Sequence, residues 1–352
     1  MIVLGIESSC DETAASVVMD GREVRSSVVA SQYELHEEFG GVVPEIASRA
    51  HEQHILPVVR DAIAQAGIEQ SEIDLIAVGH RPGLIGSLLV GLSAAKAMSW
   101  SLGVPMVGVD HVHAHLYAGM LGREEPQYPA LGLVISGGHT SIYEVRSALK
   151  VKRLGSTIDD AIGEAFDKVA AILGLGHPGG PKLDALAAEP GANDRAFDFP
   201  VSRLSKDSLD FSYSGLKTAV LYEAKGKPAP PALRGKPPLP KPEVPELTHE
   251  RMRDIAASFQ RAAVRALTIK LGRAIERVEG CRTLIVGGGV SANSLARREM
   301  QRFCDEHGLE LIIPQMGYCV DNAAMIAGLG DRLHASGQVD DLNLSAVPTT
   351  GC

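Results

Sequence analysis

The stretch IVLGIESSCDETAASVVM, residues 2–19, joins two apolar runs through a short polar segment. Residues 2–6 and 14–19 each have the length and composition of a buried strand, and the residues between them carry hydroxyls and carboxylates. A turn of this kind between two strands can wrap a phosphate with its backbone amides and hydroxyls, while its carboxylates hold a metal ion or a proton. Taken alone, the stretch is equally well explained as an ordinary polar hairpin.

The same arrangement returns near residue 130. Residues 130–135 form a second apolar run, the turn Ser136-Gly137-Gly138-His139-Thr140 follows, and residues 141–145 again have the pattern of a strand. The glycines would let a phosphate or an acyl group approach the backbone closely, although a plain hairpin turn would also explain them. Two such beginnings, each followed by strands and helices, predict an α/β fold with a duplicated domain and a cleft between the halves.

A histidine-rich segment, residues 110–116 (DHVHAHL), follows a predicted strand at residues 105–109. On a helix, His111 and His115 project from one face and can offer two imidazole nitrogens to one metal ion. His113 lies roughly 200° round such a helix from His111 and cannot join them. Histidines at a strand-to-helix junction also cap backbone groups, so this segment alone leaves both interpretations open.

Later segments add groups that a nucleotide site would use. A predicted strand runs into Gly287-Gly288-Gly289 and a helix follows, which is a common way of seating an adenosine. Asp167 stands in the middle of a predicted helix at residues 156–173, where aspartate has a poor propensity. Asp184 and Asp321 open helices and could simply cap them, but Asp321 could also complete a site of two histidines and one carboxylate.

The remaining pattern predicts further elements. Residues 43–66 form a helix with His51 and His54 on a partly exposed face, and residues 210–217 form a short strand and turn. The glycine-rich loop at residues 79–87 lacks the Walker lysine and the GxGxxG spacing, so it accepts an anion in some other way or packs on another backbone. Residues 225–246 are rich in proline and lysine and predict an extended insertion, either a solvated linker or a loop that contacts RNA or a partner.

Length and composition set the class of protein. The chain has 352 residues, of which 45% are hydrophobic, enough for about two domains with sizeable cores. No apolar run approaches 18 residues, which argues against a transmembrane helix, and the N-terminus lacks a signal-peptide pattern, which predicts a cytoplasmic protein. Five irregularly spaced cysteines argue against a disulfide framework and a zinc ribbon. The net charge of −9 excludes nucleic-acid binding by overall charge, so RNA contact would need a local basic patch or a partner.

Taken in order, these motifs resemble one family, the tRNA N6-adenosine threonylcarbamoyltransferases of the TsaD type, formerly described as glycoproteases. The motifs that carry the resemblance span about residues 1–335 and are residues 6–13 (IESSCDET), 110–115 (DHVHAH), 136–140 (SGGHT), 163–168 (GEAFDK), 179–181 (GGP), 211–217 (FSYSGLK), 287–293 (GGGVSAN) and 321–325 (DNAAM). Each motif is weak alone, and their joint occurrence is specific. The proline- and lysine-rich insertion is the departure from the family pattern.

The resemblance implies a two-lobed fold like that of actin, Hsp70 and the sugar kinases (the ASKHA, RNase H-like architecture), with an acyl transfer in its cleft. Threonylcarbamoyl-AMP would donate its threonylcarbamoyl group to N6 of adenosine 37 in tRNAs that read codons starting with A, and AMP would leave. By motif, His111, His115 and Asp321 would bind one divalent metal ion, Fe²⁺ in preference to Zn²⁺. The residues that would bind the adenylate are Ile135, Ser136, Gly137, Gly138, His139, Asp167, Gly180, Asp184 and Asn293. Our own hypothesis is that Asp11, or else Glu12, is the catalytic carboxylate that takes a proton from, or orients, the attacking amine.

The same resemblance sets expectations for lobes and partners. We expect an N-terminal lobe at residues 1–118, a C-terminal lobe at residues 119–335 and a tail at residues 336–352. The last helix, about residues 321–333, is expected to pack back on the N-terminal lobe. The family works in a complex, which implies TsaB and TsaE as partner subunits, TsaC as the source of the adenylate, tRNA as the acceptor and no membrane.

Rival interpretations make different demands on the sequence. A metalloprotease would need His-Glu-x-x-His, but Val112, His113 and Ala114 stand between the paired histidines, so no base is in place. An ATPase or kinase of the same fold would not need the paired histidines. A non-catalytic scaffold would have no need for an intact set of two histidines and one aspartate.

Overall fold

The computed structural model describes residues 1–202, 204–227 and 245–349, and in its first part five strands form one mixed sheet. The elements of this part are β1 (Ile2–Glu7), β2 (Glu12–Met19), β3 (Glu23–Ser31), α1 (Tyr33–Glu37), α2 (Pro44–Ala66), β4 (Leu75–Arg81), α3 (Ile85–Leu102), β5 (Met106–Asp110) and α4 (His111–Ala118). The strands lie in the order β3-β2-β1-β4-β5.

A second five-stranded sheet follows, in the order β8-β7-β6-β9-β10. The elements of this part are β6 (Ala130–Ile135), β7 (Thr140–Ser147), β8 (Lys150–Ser156), α5 (Ile162–Ile172), α6 (Gly179–Ala187), α7 (Ser214–Lys225), α8 (His249–Ile275), β9 (Thr283–Gly287), α9 (Ser294–His307), β10 (Glu310–Ile312) and α10 (Ala323–Ala335).

The two sheets share one plan. In each, the first strand lies at the centre and pairs antiparallel with the second strand, β1 with β2 and β6 with β7. Each central strand also pairs in parallel with the fourth strand of its sheet, β1 with β4 and β6 with β9. The predicted α/β fold with a duplicated plan is confirmed, and both polar turns are the connections between the first two strands of a sheet.

Helices α4 and α10 lie between the sheets. One core cluster joins Val3 and Val107 of the first sheet to Val134 and Ile285 of the second through side chains of these two helices. Helices α2 and α3 cover the outer face of the first sheet, and α5 to α9 cover the outer face of the second. The histidines of α4 and the residues that precede α10 are therefore held in the middle layer, where the two halves meet.

Helix α10 packs directly on the backbone of β1. A Cβ atom on Gly5 would lie 2.3 Å from the carbonyl oxygen of Ala323 and 2.9 Å from the Cβ atom of Ala327. Such distances leave no room for a side chain, so glycine is required for this close approach. The packing fixes the beginning of α10, and with it the adjacent Asp321.

Two predicted elements differ from the structure because of long-range hydrogen bonds. The helix predicted at residues 156–173 begins only at Ile162, since Ser156 ends β8 and the next residues bond to neighbours on β7 and at Phe211. The strand and turn predicted at residues 210–217 are limited to an isolated bridge at Phe211, and α7 begins at Ser214. The carboxylate of Asp159 accepts hydrogen bonds from the backbone N–H groups at the start of α7, so it acts as a cap supplied from a distant segment.

The predicted insertion is described only in part. Lys225 ends α7, whereas Arg234, Lys236 and Lys241 lie outside the described residues. Strands β3 and β8 and helix α1 have no counterpart among the predicted elements. Both strands lie at an edge of a sheet and are half exposed, so they lack the apolar run that reveals a buried strand.

Helix α3 bears on the expectation that the chain has no transmembrane helix. Within the described residues, it is the one helix long and apolar enough to cross a membrane by length and composition, which is weak evidence taken alone. It carries Lys96, its Leu88 is buried, and its Leu92 and Ala95 are buried against the first sheet. Its packing on α2 and β4 accounts for the apolar residues of that face.

We expect Gly5→Ala to lower the free energy of unfolding by about 1–3 kcal/mol, because the added methyl group overpacks the contact between β1 and α10. Urea denaturation followed by circular dichroism would measure the change. Gly272→Ala is the matched control, because a Cβ atom there meets no atom within 4 Å and the residue lies inside α8. The control should be neutral or stabilise by up to about 1 kcal/mol. A Gly5→Ala chain as stable as the unaltered chain would contradict the packing.

Candidate functional site

The loop between β1 and β2 is held by buried contacts on both sides. The hydroxyl of Ser8 donates to the carbonyl of Ser87 at 2.8 Å, and the backbone N–H of Leu84 donates to the carbonyl of Ser9 at the same distance. A Cβ atom on Gly83 would lie 2.5 Å from that carbonyl of Ser9. The glycine-rich loop at residues 79–87 therefore packs on another backbone, which decides between the two interpretations of its glycines.

Three side chains from two distant segments, α4 and the residues before α10, converge beside this loop. Asp110 caps α4 through the backbone N–H groups of residues 112 and 113, and so sets the first turn on which His111 lies. The carboxylate oxygen Oδ1 of Asp321 lies 3.6 Å from Nε2 of His111 and 3.1 Å from Nε2 of His115. His113 points elsewhere, with its ring 5.9 Å from that of Tyr143. We call His111, His115 and Asp321 the metal triad.

The metal triad fits a divalent cation. One potential ligand atom from each residue lies within 4.8 Å of the others, and bonds of about 2.1 Å to a tetrahedral ion place ligand atoms roughly 3.4 Å apart. His115 is fully buried, and neither of its ring nitrogens makes a hydrogen bond of normal geometry. A buried polar nitrogen without a partner is costly, and coordination of a cation would satisfy Nε2. Among the described residues, this is the group with metal-ligand geometry.

The charges of the metal triad are strongly coupled. Burial disfavours the imidazolium of His111, but the carboxylates of Asp321 and Glu7 outweigh burial and raise its pKa to about 9. Burial lowers the pKa of His115. Burial opposes ionisation of Asp321, yet the two histidines hold its pKa well below its usual range. A carboxylate is thus kept ionised in a largely enclosed site, where its side chain is 20% exposed, and the ionised form is the state that binds a cation.

Sequence reasoning missed Glu7, which is fully buried at the end of β1. Its Oε2 lies 3.1 Å from Nδ1 of His111, and its Oε1 accepts a hydrogen bond of 2.6 Å from the backbone N–H of Ser9. An available signal was a carboxylate that directly continues an apolar strand, a position that is buried in a fold of this type.

His51 also differs from its predicted place on a partly exposed face. It is fully buried, and its Nε2 donates to the carbonyl of Cys10 at 2.9 Å. Its Nδ1 accepts from the hydroxyl of Thr13 at 2.8 Å and lies 3.3 Å from the amide nitrogen of Gln32, whose oxygen in turn accepts from Nε2 of His36. The backbone N–H of Val43 donates to Nδ1 of His36, which completes a chain of hydrogen bonds running in one direction. This chain ties the segment around α1 to the backbone next to Asp11.

The two carboxylates of the β1–β2 loop are both buried, with Asp11 7% and Glu12 5% exposed. Burial, followed by the negative charges of Asp321 and Asp11, raises the pKa of Glu12 well above its usual value. Burial and the charges of Glu12 and Asp11 also raise the pKa of Tyr33, whose hydroxyl bonds to Glu12. The ring of Tyr33 lies edge-on to that of His177 at 5.7 Å, so the two halves of the chain touch beside these carboxylates.

The second polar turn borders the metal triad. The ring of His139 lies 6.3 Å from that of His111, and burial, followed by the charges of His111 and His115, lowers the pKa of His139 to about 4. A Cβ atom on Gly288 would lie 2.5 Å from the carbonyl oxygen of Ile135, and φ of Gly288 is +91°. A Cβ atom on Gly287 would lie 2.1 Å from the carbonyl oxygen of His115. Two glycines of the three-glycine turn are thus required by protein packing.

Asp167 lies where the two halves face each other. Its Oδ1 accepts hydrogen bonds from the backbone N–H groups of Gly179 and Gly180, at 2.9 and 3.1 Å. Burial raises its pKa, against the effect of these hydrogen bonds, and the charge of Asp11 across the cleft adds to the rise. A Cβ atom on Gly137, Gly138 or Gly180 would meet nothing within 4 Å, so these backbones border open space.

Asp184 and Asn293 already make hydrogen bonds within the protein. Asp184 accepts from the hydroxyl and the backbone N–H of Ser294, at 2.8 and 2.9 Å, and from the amide of Gln260 at 3.0 Å. Asn293 caps α9 through Ala296 and donates to the oxygen of Gln260 at 3.1 Å. Sequence reasoning missed Gln260, which carries no motif signal, and Ser294, which follows one. Asp184 and Asn293 thus link α6, α8 and α9. For a ligand, Asp184 keeps its remaining lone pairs and Asn293 keeps one amide N–H group and its remaining lone pair.

Comparisons of structure place the fold. The chain resembles component A of the (R)-2-hydroxyglutaryl-CoA dehydratase of Acidaminococcus fermentans, with a TM-score of 0.51 and 14% identity over 95% of this chain and 99% of that one. It also resembles full-length HypF in a phosphate- and nucleotide-bound form, with a TM-score of 0.57 and 13% identity over 98% of this chain and 47% of that one. These likenesses confirm the predicted two-lobed architecture of actin, Hsp70 and the sugar kinases.

Comparisons of sequence place the family. The model of the family described as "TsaD: tRNA N6-adenosine threonylcarbamoyltransferase" matches residues 23–328. A tRNA N6-adenosine threonylcarbamoyltransferase of Trichlorobacter lovleyi is 48% identical over 350 residues, covering 99% of this chain and 96% of the relative. That of Syntrophotalea carbinolica is 46% identical over 346 residues, covering 98% and 95%. The chain therefore belongs to the TsaD family of transferases, which place a threonylcarbamoyl group on N6 of an adenosine in tRNA.

Proposed function

We propose that this chain takes the threonylcarbamoyl group from threonylcarbamoyl-AMP and places it on N6 of adenosine 37 in tRNAs that read codons starting with A. The observation that carries the proposal is the convergence of the metal triad with both polar turns, since His111 lies beside the β1–β2 loop and 6.3 Å from His139. A mixed carbamic–phosphoric anhydride needs an anion-binding turn, a charged group at the acyl centre and a base near the amine. In this proposal the turn at residues 136–139, the metal triad and Asp11 fill these roles.

The adenylate is assigned to the second half of the chain. In this proposal the phosphate lies against the turn formed by Ile135, Ser136, Gly137, Gly138 and His139, where the backbones of Gly137 and Gly138 border open space. Gly180 leaves similar room, and Asp167 and Asp184 accept hydrogen bonds from the ribose hydroxyls through lone pairs not engaged with the protein. Asn293 contributes its free amide N–H.

The chemical step exchanges one bond for another at the carbamoyl carbon. N6 of the adenosine attacks that carbon, the new C–N bond forms, and the bond from carbon to phosphate oxygen breaks with its electron pair leaving on AMP. The proton lost from N6 goes to Asp11, which acts as the general base and later releases it to solvent. The ion held by His111, His115 and Asp321 would supply Lewis-acid stabilisation of oxygens on the donor.

Asp11 suits the role of base better than Glu12. Burial, followed by the charges of Asp321 and Asp11, raises the pKa of Glu12, and its side chain bonds to that of Asp11, so in this proposal Glu12 is the donor of that hydrogen bond and Asp11 the acceptor. Glu12 would then orient Asp11, with the hydroxyl of Tyr33 on its other side.

The identity of the ion is part of the proposal. Two histidines and one carboxylate are a ligand set used by Fe²⁺, which keeps open positions for substrate, and Zn²⁺ also accepts such ligands. We propose one ion per chain, with Fe²⁺ preferred.

The proposal also covers the partner subunits, the cellular location and the division of the chain into lobes. The net charge of −9 opposes tRNA binding by this chain alone, which supports the presence of partner subunits. We propose TsaB and TsaE in this role, and TsaC as the source of the adenylate. A cytoplasmic location follows from the substrates. We assign residues 1–118 and 119–335 to the two lobes, with α10 packed on the N-terminal sheet and residues 336–352 as a tail.

The reaction itself is tested with purified chain, TsaB, TsaE, threonylcarbamoyl-AMP labelled in its threonine, and a tRNA with adenosine 37. We expect labelled threonylcarbamoyladenosine after nuclease digestion, and none with a tRNA that carries guanosine 37. Release of AMP without label in the tRNA would overturn the assignment of the acceptor.

We expect His115→Ala to weaken Zn²⁺ binding by more than the roughly 10–100-fold that the loss of an outer partner of a ligand costs. His113→Ala is the matched control, since it removes a histidine of the same helix, and the ring of that histidine faces Tyr143. The measurement is competition with a chromophoric chelator, supported by metal analysis of the purified chains. Equal affinity for the two variants would remove His115 from the site.

We expect Asp11→Asn to lower kcat by about 100- to 10,000-fold while binding of the adenylate is retained, since it removes the base and keeps the shape. Glu12→Gln keeps the shape and a group that can donate to Asp11, so it should lower kcat far less. Single-turnover transfer and equilibrium binding of the donor separate the two effects. A larger loss for Glu12→Gln would exchange the roles of the two carboxylates.

A further inference from the structure

Glu7 is a buried carboxylate that the proposed reaction does not use. It is fully buried at the end of β1, one residue before the loop that carries Asp11. Its two oxygens have different partners, with Oε1 accepting from the backbone N–H of Ser9 at 2.6 Å and Oε2 lying 3.1 Å from Nδ1 of His111. A buried carboxylate is costly unless its oxygens have hydrogen-bond partners, and each oxygen of Glu7 has one.

The contact with Glu7 decides which nitrogen of His111 carries a proton. A carboxylate only accepts hydrogen bonds, so the nitrogen that faces it must be Nδ1–H. In the neutral ring that a cation binds, Nε2 then presents its lone pair on the side of the ring where Asp321 lies, 3.6 Å away. The hydroxyl of Ser9 lies 3.2 Å from the same Nδ1. Because a hydroxyl can either donate or accept, it is compatible with a proton on Nδ1 but does not determine the tautomer.

The position of Glu7 is fixed from its other side by β4. A Cβ atom on Gly79 would lie 2.6 Å from Oε2 of Glu7, so any larger residue there would push the carboxylate. The backbone of β4, the N–H of Ser9 and the ring of His111 therefore surround the group. These contacts restrict the orientation of the Glu7 carboxylate. Through the contact with Nδ1 they also restrict the orientation of the His111 ring.

We propose that Glu7 is a positioning residue that holds His111 as the Nδ1–H tautomer with Nε2 aimed at the cation. The inference rests on the proposed metal site and extends it by a partner behind the ligand. A hydrogen-bonded carboxylate behind a ligating histidine fixes the ring and increases its basicity. Glu7 itself touches neither the ion nor the substrate.

The test is Glu7→Gln, with Zn²⁺ as the probe and the full chain without donor or tRNA. An amide offers one oxygen and one NH₂ group, so it can satisfy either the N–H of Ser9 or the N–H of His111, but not both. We expect Zn²⁺ affinity to fall by about 10–100-fold. Ser8→Ala is the matched control, because it removes a buried hydrogen bond in the same loop without contact to His111. Its affinity for Zn²⁺ should stay that of the unaltered chain.

A folded Glu7→Gln chain that binds Zn²⁺ as tightly as the unaltered chain would overturn the proposal. If Glu7→Gln does not fold, long-range ¹H–¹⁵N spectra of His111 in the zinc-loaded unaltered chain decide instead. We expect the ring proton on Nδ1, and a proton on Nε2 would overturn the proposal. Because neither readout needs transfer activity, a failure of the proposed reaction would leave this test intact. His115→Ala is measured in the same experiment. If that variant bound Zn²⁺ as tightly as the unaltered chain, the proposed metal site would be wrong, and the result would not bear on the role of Glu7.

Discussion

The constraint on which the structure depends is the burial of one carboxylate beside two imidazoles. An unpaired carboxylate in the middle layer would be strongly destabilising. His111 and His115 keep Asp321 ionised, and this requires α4 and the start of α10 to lie side by side between the two sheets. The geometry of the site and the arrangement of the layers therefore depend on each other, because moving either helix would separate the carboxylate from the imidazoles.

Close backbone contacts make this arrangement possible. Where α10 crosses β1, a side chain at Gly5 would collide with the carbonyl of Ala323, and where β9 passes α4, one at Gly287 would collide with the carbonyl of His115. Both contacts lie directly next to residues of the metal triad. Glycine thus serves packing at these positions, while Gly137, Gly138 and Gly180 border open space where a ligand can lie.

The parts of the fold and site that could be predicted are those encoded locally. Buried strands have continuous apolar runs, and the spacing of His111 and His115 follows from the pitch of a helix. The structure brings Asp321 to this pair, as its place before the last helix suggested.

What could not be predicted depends on partners far away in the chain. The start of α7 is set by Asp159, and His51 is buried because Gln32 and the carbonyl of Cys10 satisfy its nitrogens. Gln260, in the middle of a long helix, gives no sign that it links Asp184 to Asn293. Such residues have ordinary local patterns, and only the folded arrangement distinguishes them.

The separation of the metal triad along the chain has a consequence for biosynthesis. His111 lies in the fourth helix, whereas Asp321 directly precedes the last helix of the described chain, so most of the polypeptide must be made between them. A ribosome adds about 5–20 residues per second, and the nascent N-terminal sheet would wait many seconds for its third ligand. Under the proposed metal site, the full set of three ligands would therefore form late in the life of the nascent chain.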